Sequence, residues 1–378
     1  MRQVAAAAGV SHVTVSRALR NDRDVSAATA RRIQLLARRL GYQPNPLVTA
    51  LMSQVRSRRP STRHPAIGYL NTWWPRAAWQ GCSTKTAQFL GAERRAAELG
   101  YRLENLWLRE PGLSPQRVNE ILRARGVRGL LVGPIQHPDQ PLSLPWSQFT
   151  LATISYSLRS PEVHRACHAH FRGMYRAMDE LIGRGCSRIG FVTSREFEFR
   201  VHSLWEGAYR VSQLRLPRVG RLEPLVFPRE AEPAALRTWL RAARPEVVIN
   251  AVPGVYELLL GFGLRLPQDL GFVHLDLSPR LKDAGVTGID QLSGIVGAAA
   301  LELVVNQLNR NLEGPPEHPV TQLIEGDWVE GQTLPPAAGP TSPAAVAAAA
   351  TNALSAPLGG TRRSGRSGVG ASGRRSGG

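Results

Sequence analysis

From His64 to Leu312 the chain alternates short apolar runs with helical patterns, and few architectures accept that rhythm. Ala66–Leu70, Tyr101–Leu108, Gly129–Val132, Leu151–Ile154, Arg188–Thr193, Leu222–Phe227, Val247–Asn250 and Gly271–Leu275 read as strands. Gln88–Gly100, Ser114–Arg125, Arg172–Gly185, Ser203–Gln213, Ala234–Ala243, Tyr256–Leu264 and Ser293–Leu312 read as helices. The pattern implies parallel sheets covered by helices on both faces. So long an alternation fits two lobes better than one sheet. Ligands of open α/β sheets bind beyond the carboxyl ends of strands, and in a two-lobed arrangement those ends face a common cleft.

Residues 1–44 have a different texture. Val4, Ala5 and Ala8 form a first apolar set, stopped by Gly9. Ser11 can cap a second helix from His12 to about Arg20, with Val15, Ala18 and Leu19 on its inner face. Only Gly9-Val10-Ser11 lies between, which is the connection of a helix-turn-helix. Ser26 can cap a third helix from Ala27 to Leu40, where Ile33, Leu36, Ala37 and Leu40 recur at helical spacing. Gly41 and Pro44 end it. Residues 45–56 read as a short fourth helix, capped by Asn45 with Pro46 in its first position. So short a helix is marginal in water and forms only when docked. The sequence therefore divides into a helix-turn-helix (1–44), a short helix and linker (45–63), a two-lobed body (64–334) and a low-complexity tail (335–378) expected to be disordered.

Charge follows the same division. Residues 1–65 carry twelve arginines against Asp22 and Asp24, residues 335–378 carry five arginines and no acid, and residues 66–334 are nearly balanced at thirty basic to twenty-seven acidic. An arginine-rich composition alone would spread the excess evenly. A compact basic segment with helical periodicity points to a polyanion, nucleic acid first. Cys82, Cys167 and Cys186 are an odd number at no metal-ligand spacing, which suits a reducing compartment. No apolar run reaches a membrane span, and no signal-peptide core opens the chain. A cytoplasmic protein without a membrane partner is expected.

The run Val4 to Leu19, with Val25-Ser26-Ala27-Ala28-Thr29 and Leu40-Gly41-Tyr42-Gln43-Pro44-Asn45, resembles the LacI family of bacterial transcription regulators. The α/β body is similar to that family's effector core, itself like periplasmic sugar-binding proteins, so the resemblance covers roughly residues 2–334. It implies a DNA-binding regulator, repressor by default, that pairs as a homodimer on a pseudo-palindromic duplex operator. His12, Val13 and Arg17 occupy the sequence-reading positions. Their chemistry suits base readout, with Arg17 for a bidentate contact to guanine, His12 to donate or accept, and Val13 against a thymine methyl. Ser11, Thr14, Ser16, Ser26, Thr29, Tyr42 and Asn45 are placed for phosphate oxygens, with capping and packing as the plainer role. Leu51 matches the hinge-helix leucine that wedges into the minor groove, and Leu47 with Leu51 could instead pack two hinge helices together. One departure is that only Met1-Arg2-Gln3 precede Val4, which implies a weakly capped first helix or a start further upstream.

Between the lobes a small-molecule effector, by family analogy a carbohydrate, is expected. Trp73 and Trp74 follow the first strand, where a sugar ring could stack. Asp276 and Arg200 match positions that often line the family's cleft, and Gln291 matches one near the lobe crossover. Each has a structural alternative: core or dimer surface for the tryptophans, a turn cap for Asp276, a surface charge for Arg200. His170 stands where the family commonly has Asp. His164, Cys167, His168 and His170 are compact but lack a second ligand pair, so a strand-to-helix junction is the better reading than a metal site. No cofactor is expected. A solute-binding protein of the same core is the alternative, but it would need a signal peptide or lipid anchor. An enzyme is disfavoured, since no phosphate loop or nucleophile elbow is present. Gly294-Ile295-Val296-Gly297 resembles a nucleotide turn only weakly.

Overall fold

The structure, a computed structural model, describes residues 2–19, 24–40, 65–137 and 142–335. The amino-terminal helices are α1 (Arg2–Ala8), α2 (His12–Leu19) and α3 (Ala27–Arg39). Gly9 takes a positive φ of 65° in the α1–α2 turn, a conformation glycine adopts without steric cost. Val4, Ala5, Ala8, Val15, Ala18, Ala30, Ile33 and Ala37 close a small core among the three helices. Each helix alone is too short to persist in water, so this shared apolar seam holds them.

The body is two sheets. The first contains β1 (Ala66–Asn71), β2 (Arg102–Trp107), β3 (Gly129–Val132), β4 (Thr150–Ile154), β5 (His164–His168) and β11 (Thr321–Ile324), all parallel, in the order β11-β5-β4-β3-β1-β2. The second contains β6 (Ile189–Ser194), β7 (Leu225–Phe227), β8 (Val247–Asn250), β9 (Gly271–His274), β10 (Thr287–Asp290) and β12 (Asp327–Val329), in the order β12-β10-β9-β8-β6-β7. Its strands are parallel apart from β12, which runs antiparallel to β10. Central strands β1, β3, β6, β8 and β9 are buried along their whole length, which is why they read as unbroken apolar runs.

Helices cover both faces of each sheet. On the first, α4 (Ser83–Glu98) and α12 (Ser293–Asn309) pack over Ile67, Leu131, Ala152 and Ala166, while α5 (Pro115–Ala124) places Val118 and Leu122 against Leu70, Leu130 and Leu151. On the second, α6 (His170–Gly183) and α8 (Leu204–Gln213) lie over Ile189, Phe191 and Ile249, and α9 (Pro233–Ala243) and α10 (Val255–Gly261) pack on Val248 and Phe272. Two short helices, α7 (Arg195–Arg200) and α11 (Pro279–Asp283), follow β6 and β9. No helix of the described residues is long and apolar enough to cross a membrane.

The Gly294–Gly297 run has a packing role. It opens α12 directly after β10, and there α4 and α12 approach backbone to backbone. A Cβ on Gly91 would lie 1.9 Å from the Gly294 carbonyl oxygen, and one on Gly297 would lie 1.8 Å from that of Gln88.

Among the described residues the chain passes between the lobes three times: at β5–α6, at β10–α12 and at β11–β12. The crossings meet in one seam. A Cβ on Gly326 would lie 2.5 Å from the Asp290 carbonyl oxygen and 2.7 Å from His168 Cε1. On the return crossing Leu292 holds a left-handed φ of 51°, steadied by its N–H donating to Asp290 Oδ1 at 3.0 Å.

Candidate nucleic-acid interface and effector cleft

The second helix is built to be held from below and read from above. Its inner residues Val15 and Ala18 are buried, whereas His12, Val13 and Arg17 are exposed, Val13 by 48%. Helix α3 supplies the support: Arg32 donates to the Ala8 carbonyl at 3.2 Å and Gln34 Nε2 to the Ala18 carbonyl at 3.0 Å. These bonds satisfy carbonyls left open at the ends of α1 and α2. Neither residue stands out in the sequence, because a polar residue on a helix face looks the same whether it caps a neighbour or meets water.

The short donors form two caps of one design. Ser11 Oγ accepts the Thr14 N–H at 3.1 Å and lies 2.9 Å from Thr14 Oγ1. Ser26 Oγ accepts the Thr29 N–H at 3.3 Å and donates to Thr29 Oγ1 at 2.8 Å. Ser16 is half-exposed on α2. Arg17 Nη1 lies 3.1 Å from Asp24 Oδ2, a partner the motif does not announce. Tyr42, Asn45 and Leu51, with the whole hinge segment and residues 336–378, lie outside the described residues.

Across the lobes, the carboxyl ends of the strands do face one another. Arg200, in the last turn of α7, donates to the Ile135 carbonyl at 2.7 Å and the Gln136 carbonyl at 2.6 Å on the opposite lobe. Thr84, at the start of α4, donates to Asp276 Oδ2 at 2.7 Å. Burial pushes the Asp276 carboxyl above its ordinary pKa, opposed by the Thr84 bond and nearby Lys85. Trp73 is half-buried, donates from Nε1 to the Pro134 carbonyl at 2.6 Å and has Lys85 Nζ 4.3 Å and Arg200 Cζ 5.5 Å from its ring. Trp74 turns outward and stacks on Trp107 at 5.3 Å. Gln291 is buried and donates to the Leu275 carbonyl at 2.9 Å, a backbone clip beside the seam.

Trp73 and Arg200 therefore come together, in a cavity of about 530 Å³ that they share with Gln136, His137, Arg195, Glu196, Phe199, Pro228 and Arg229. Trp74, Asp276 and Gln291 are not in its lining. The other lining residues carry no motif. Their only signal is position: Arg195 to Arg200 follow β6 and Pro228-Arg229 follow β7, at the carboxyl ends where such folds bind ligands.

The His164 to His170 segment is a strand-to-helix junction, β5 into α6. His168 and His170 are buried, and their rings meet edge to face at 5.1 Å. Burial lowers the pKa of His168 to about 4 and holds that of His170 well below the ordinary histidine value, with His168 adding to the latter shift.

Residues 1–45 match the bacterial regulatory proteins of the lacI family. The chain is 29% identical over 316 residues to the HTH-type transcriptional regulator PtxS of Pseudomonas plecoglossicida, covering 81% of this chain and 88% of that one. In three dimensions it resembles a transcriptional regulator CelR–cellobiose complex, at a TM-score of 0.56 and 20% identity over 87% of this chain and 98% of that one. The lac repressor dimer bound to operator and the anti-inducer ONPF gives a TM-score of 0.52 and 18% identity, over 88% and 98% of the two chains.

Proposed function

We propose that this chain is a DNA-binding transcriptional regulator of the LacI family, the reading that the match of residues 1–45 and the 29% identical regulator support, and that its parts divide the work as follows. Residues 1–44 read an operator, 45–63 form the hinge, and 64–334 bind the effector and pair two copies. His12, Val13 and Arg17 contact base edges. Ser11, Thr14, Ser16, Ser26, Thr29, Tyr42 and Asn45 contact phosphates, and Leu51 enters the minor groove. The protein acts in the cytoplasm, as a homodimer on a pseudo-palindromic site. The observation that carries this is the exposure of His12, Val13 and Arg17 on a helix whose opposite face is locked into the small core. Footprinting on DNA flanking its own gene tests it. Arg17→Ala should abolish the sequence-specific footprint and leave weak, salt-sensitive binding. A footprint that survives the substitution removes the recognition helix from its role.

The effector is a carbohydrate bound between the lobes, with Trp73, Trp74, Arg200, Asp276 and Gln291 as the positions inferred to serve it. A relative of this fold carries cellobiose and another an anti-inducer while on its operator, which supports this reading. Closure of the lobes changes the surface that pairs the two copies and so orders or releases the hinge. Such coupling is typically about 1–3 kcal/mol, or roughly 5- to 150-fold in operator affinity.

A further inference from the structure

We propose that the effector is an anionic carbohydrate whose acidic group, a carboxylate or a phosphate, is held by Arg195 and Arg229 at the cleft mouth. The proposal rests on the reading of the cleft as an effector site. Three guanidinium groups line the cavity, those of Arg195, Arg200 and Arg229, against the single carboxylate of Glu196, an excess of two positive charges before His137 is counted. That carboxylate is already shared: Glu196 Oε1 lies 3.3 Å from Arg200 Nε and its Oε2 lies 3.4 Å from Arg229 Nε. Arg200 is also committed to two carbonyls of the other lobe. Arg229 is 76% exposed with only that one long contact among the described residues, and Arg195 is exposed on the first turn of α7.

A further cation stands behind the aromatic lining, Arg159, whose Cζ lies 4.3 Å from the Phe199 ring, while Lys85, over Trp73, has the Asp276 carboxyl nearby. Glu198, next in sequence to the lining, does not offset them. It turns inward to Thr193 Oγ1 and the Glu206 N–H, and burial raises its pKa to about 7.

A basic composition does not explain this surplus. Residues 66–334 carry thirty basic and twenty-seven acidic side chains. Several guanidinium groups elsewhere on the body are each matched by carboxylates, Arg95 by Glu98 and Glu302, Arg210 by Glu206 and Glu223, Arg265 by Asp269. A concave site with unbalanced charge between low-dielectric walls concentrates counter-ions. The guanidinium fork fits carboxylate and phosphate oxygens two at a time. Gln136, His137 and Glu196 offer donors and acceptors for hydroxyl groups, and Phe199 and Pro228 offer apolar contact to the carbon face of a sugar ring.

The test is thermal shift and calorimetry on the full chain with matched sugars. Glucose is compared with gluconate and glucose 6-phosphate, and galactose with galactonate and galactose 6-phosphate, with sodium sulfate at equal ionic strength. An acid should raise the melting midpoint where its neutral parent does not, and whichever acid does so separates carboxylate from phosphate. Arg195→Gln and Arg229→Gln should each weaken that binding about tenfold, the cost of losing one charge-assisted hydrogen bond, while Arg117→Gln on α5 should not. A neutral sugar that matches its acid overturns the proposal and leaves the effector site standing. A shift that survives the double substitution, or that sulfate reproduces, also overturns it. If neither acids nor parents change the midpoint or the operator affinity, the effector site falls with it.

Discussion

Arg17 Nη1 sits 3.1 Å from Asp24 Oδ2, so the guanidinium inferred to read guanine is held by a carboxylate in the free protein. Both side chains are about half exposed or more, and such pairs contribute no more than about 1 kcal/mol. Asp24→Ala should therefore tighten operator binding by up to about fivefold, through loss of the competing carboxylate and of its repulsion of phosphate. Anisotropy titration of operator and scrambled duplex checks this. Weaker operator binding in the variant would mean that Asp24 aims Arg17 rather than restrains it.

Ser11 has two roles to separate. As the cap that accepts the Thr14 N–H, it is worth about 1 kcal/mol against alanine. Ser11→Asp keeps a capping oxygen but places a negative charge where a phosphate would approach. The melting midpoint should stay near that of the wild type for Ser11→Asp and fall for Ser11→Ala. Operator affinity should drop sharply for Ser11→Asp. Unchanged affinity would leave Ser11 as a cap alone.

Gly297→Ala should cost several kcal/mol, at or above the roughly 1–3 kcal/mol typical of overpacking, because the methyl group meets the Gln88 carbonyl and helix backbones have nowhere to yield. Urea unfolding measures it. Gly207→Ala, with open space around the added carbon, serves as control and should be neutral or slightly stabilising.

Acid should destabilise the body. Burial holds His168 and His274 near a pKa of about 4 and pushes His170 down as well, against 6.5 in an unfolded chain. Between those values the unfolded chain binds protons that the folded one refuses, so stability falls as pH drops from about 6.5 to about 4. Glu198 works in the opposite sense. Its pKa of about 7, raised by burial from 4.5, means that the folded chain keeps a proton the unfolded one loses, and this contribution disappears as pH rises from 4.5 to 7. Melting midpoints against pH should therefore fall on the acid side, less steeply for His168→Asn and more steeply for Glu198→Gln. A flat wild-type profile over that window would contradict the burial of these rings.

Much of this was legible because period reports local structure. The second and third amino-terminal helices fall within a residue or so of their expected bounds, and the central strands sit where the apolar runs do. The strands missed were those whose side chains do not advertise burial: β5 carries two histidines and an arginine, β10 has one large apolar residue in Thr-Gly-Ile-Asp, β11 is exposed along most of its length, and β12 is three residues long. The cleft was legible as a place and much less as a set of residues. Trp73 and Arg200 do meet in it, but Gln291 serves the backbone and Trp74 a neighbouring ring. Arg195 and Arg229 line the cavity beside Gln136 and His137 of the opposite lobe, a neighbourhood no local window contains.

The triple passage of the chain through the seam beside His168 limits how the halves of the body can move. Three tethers side by side act like the knuckles of a door. They permit swinging about one line and resist sliding or twisting, since either would stretch at least one of them. Whatever fills the space between the halves can therefore speak to the rest of the molecule in only one variable, the angle at which the door stands.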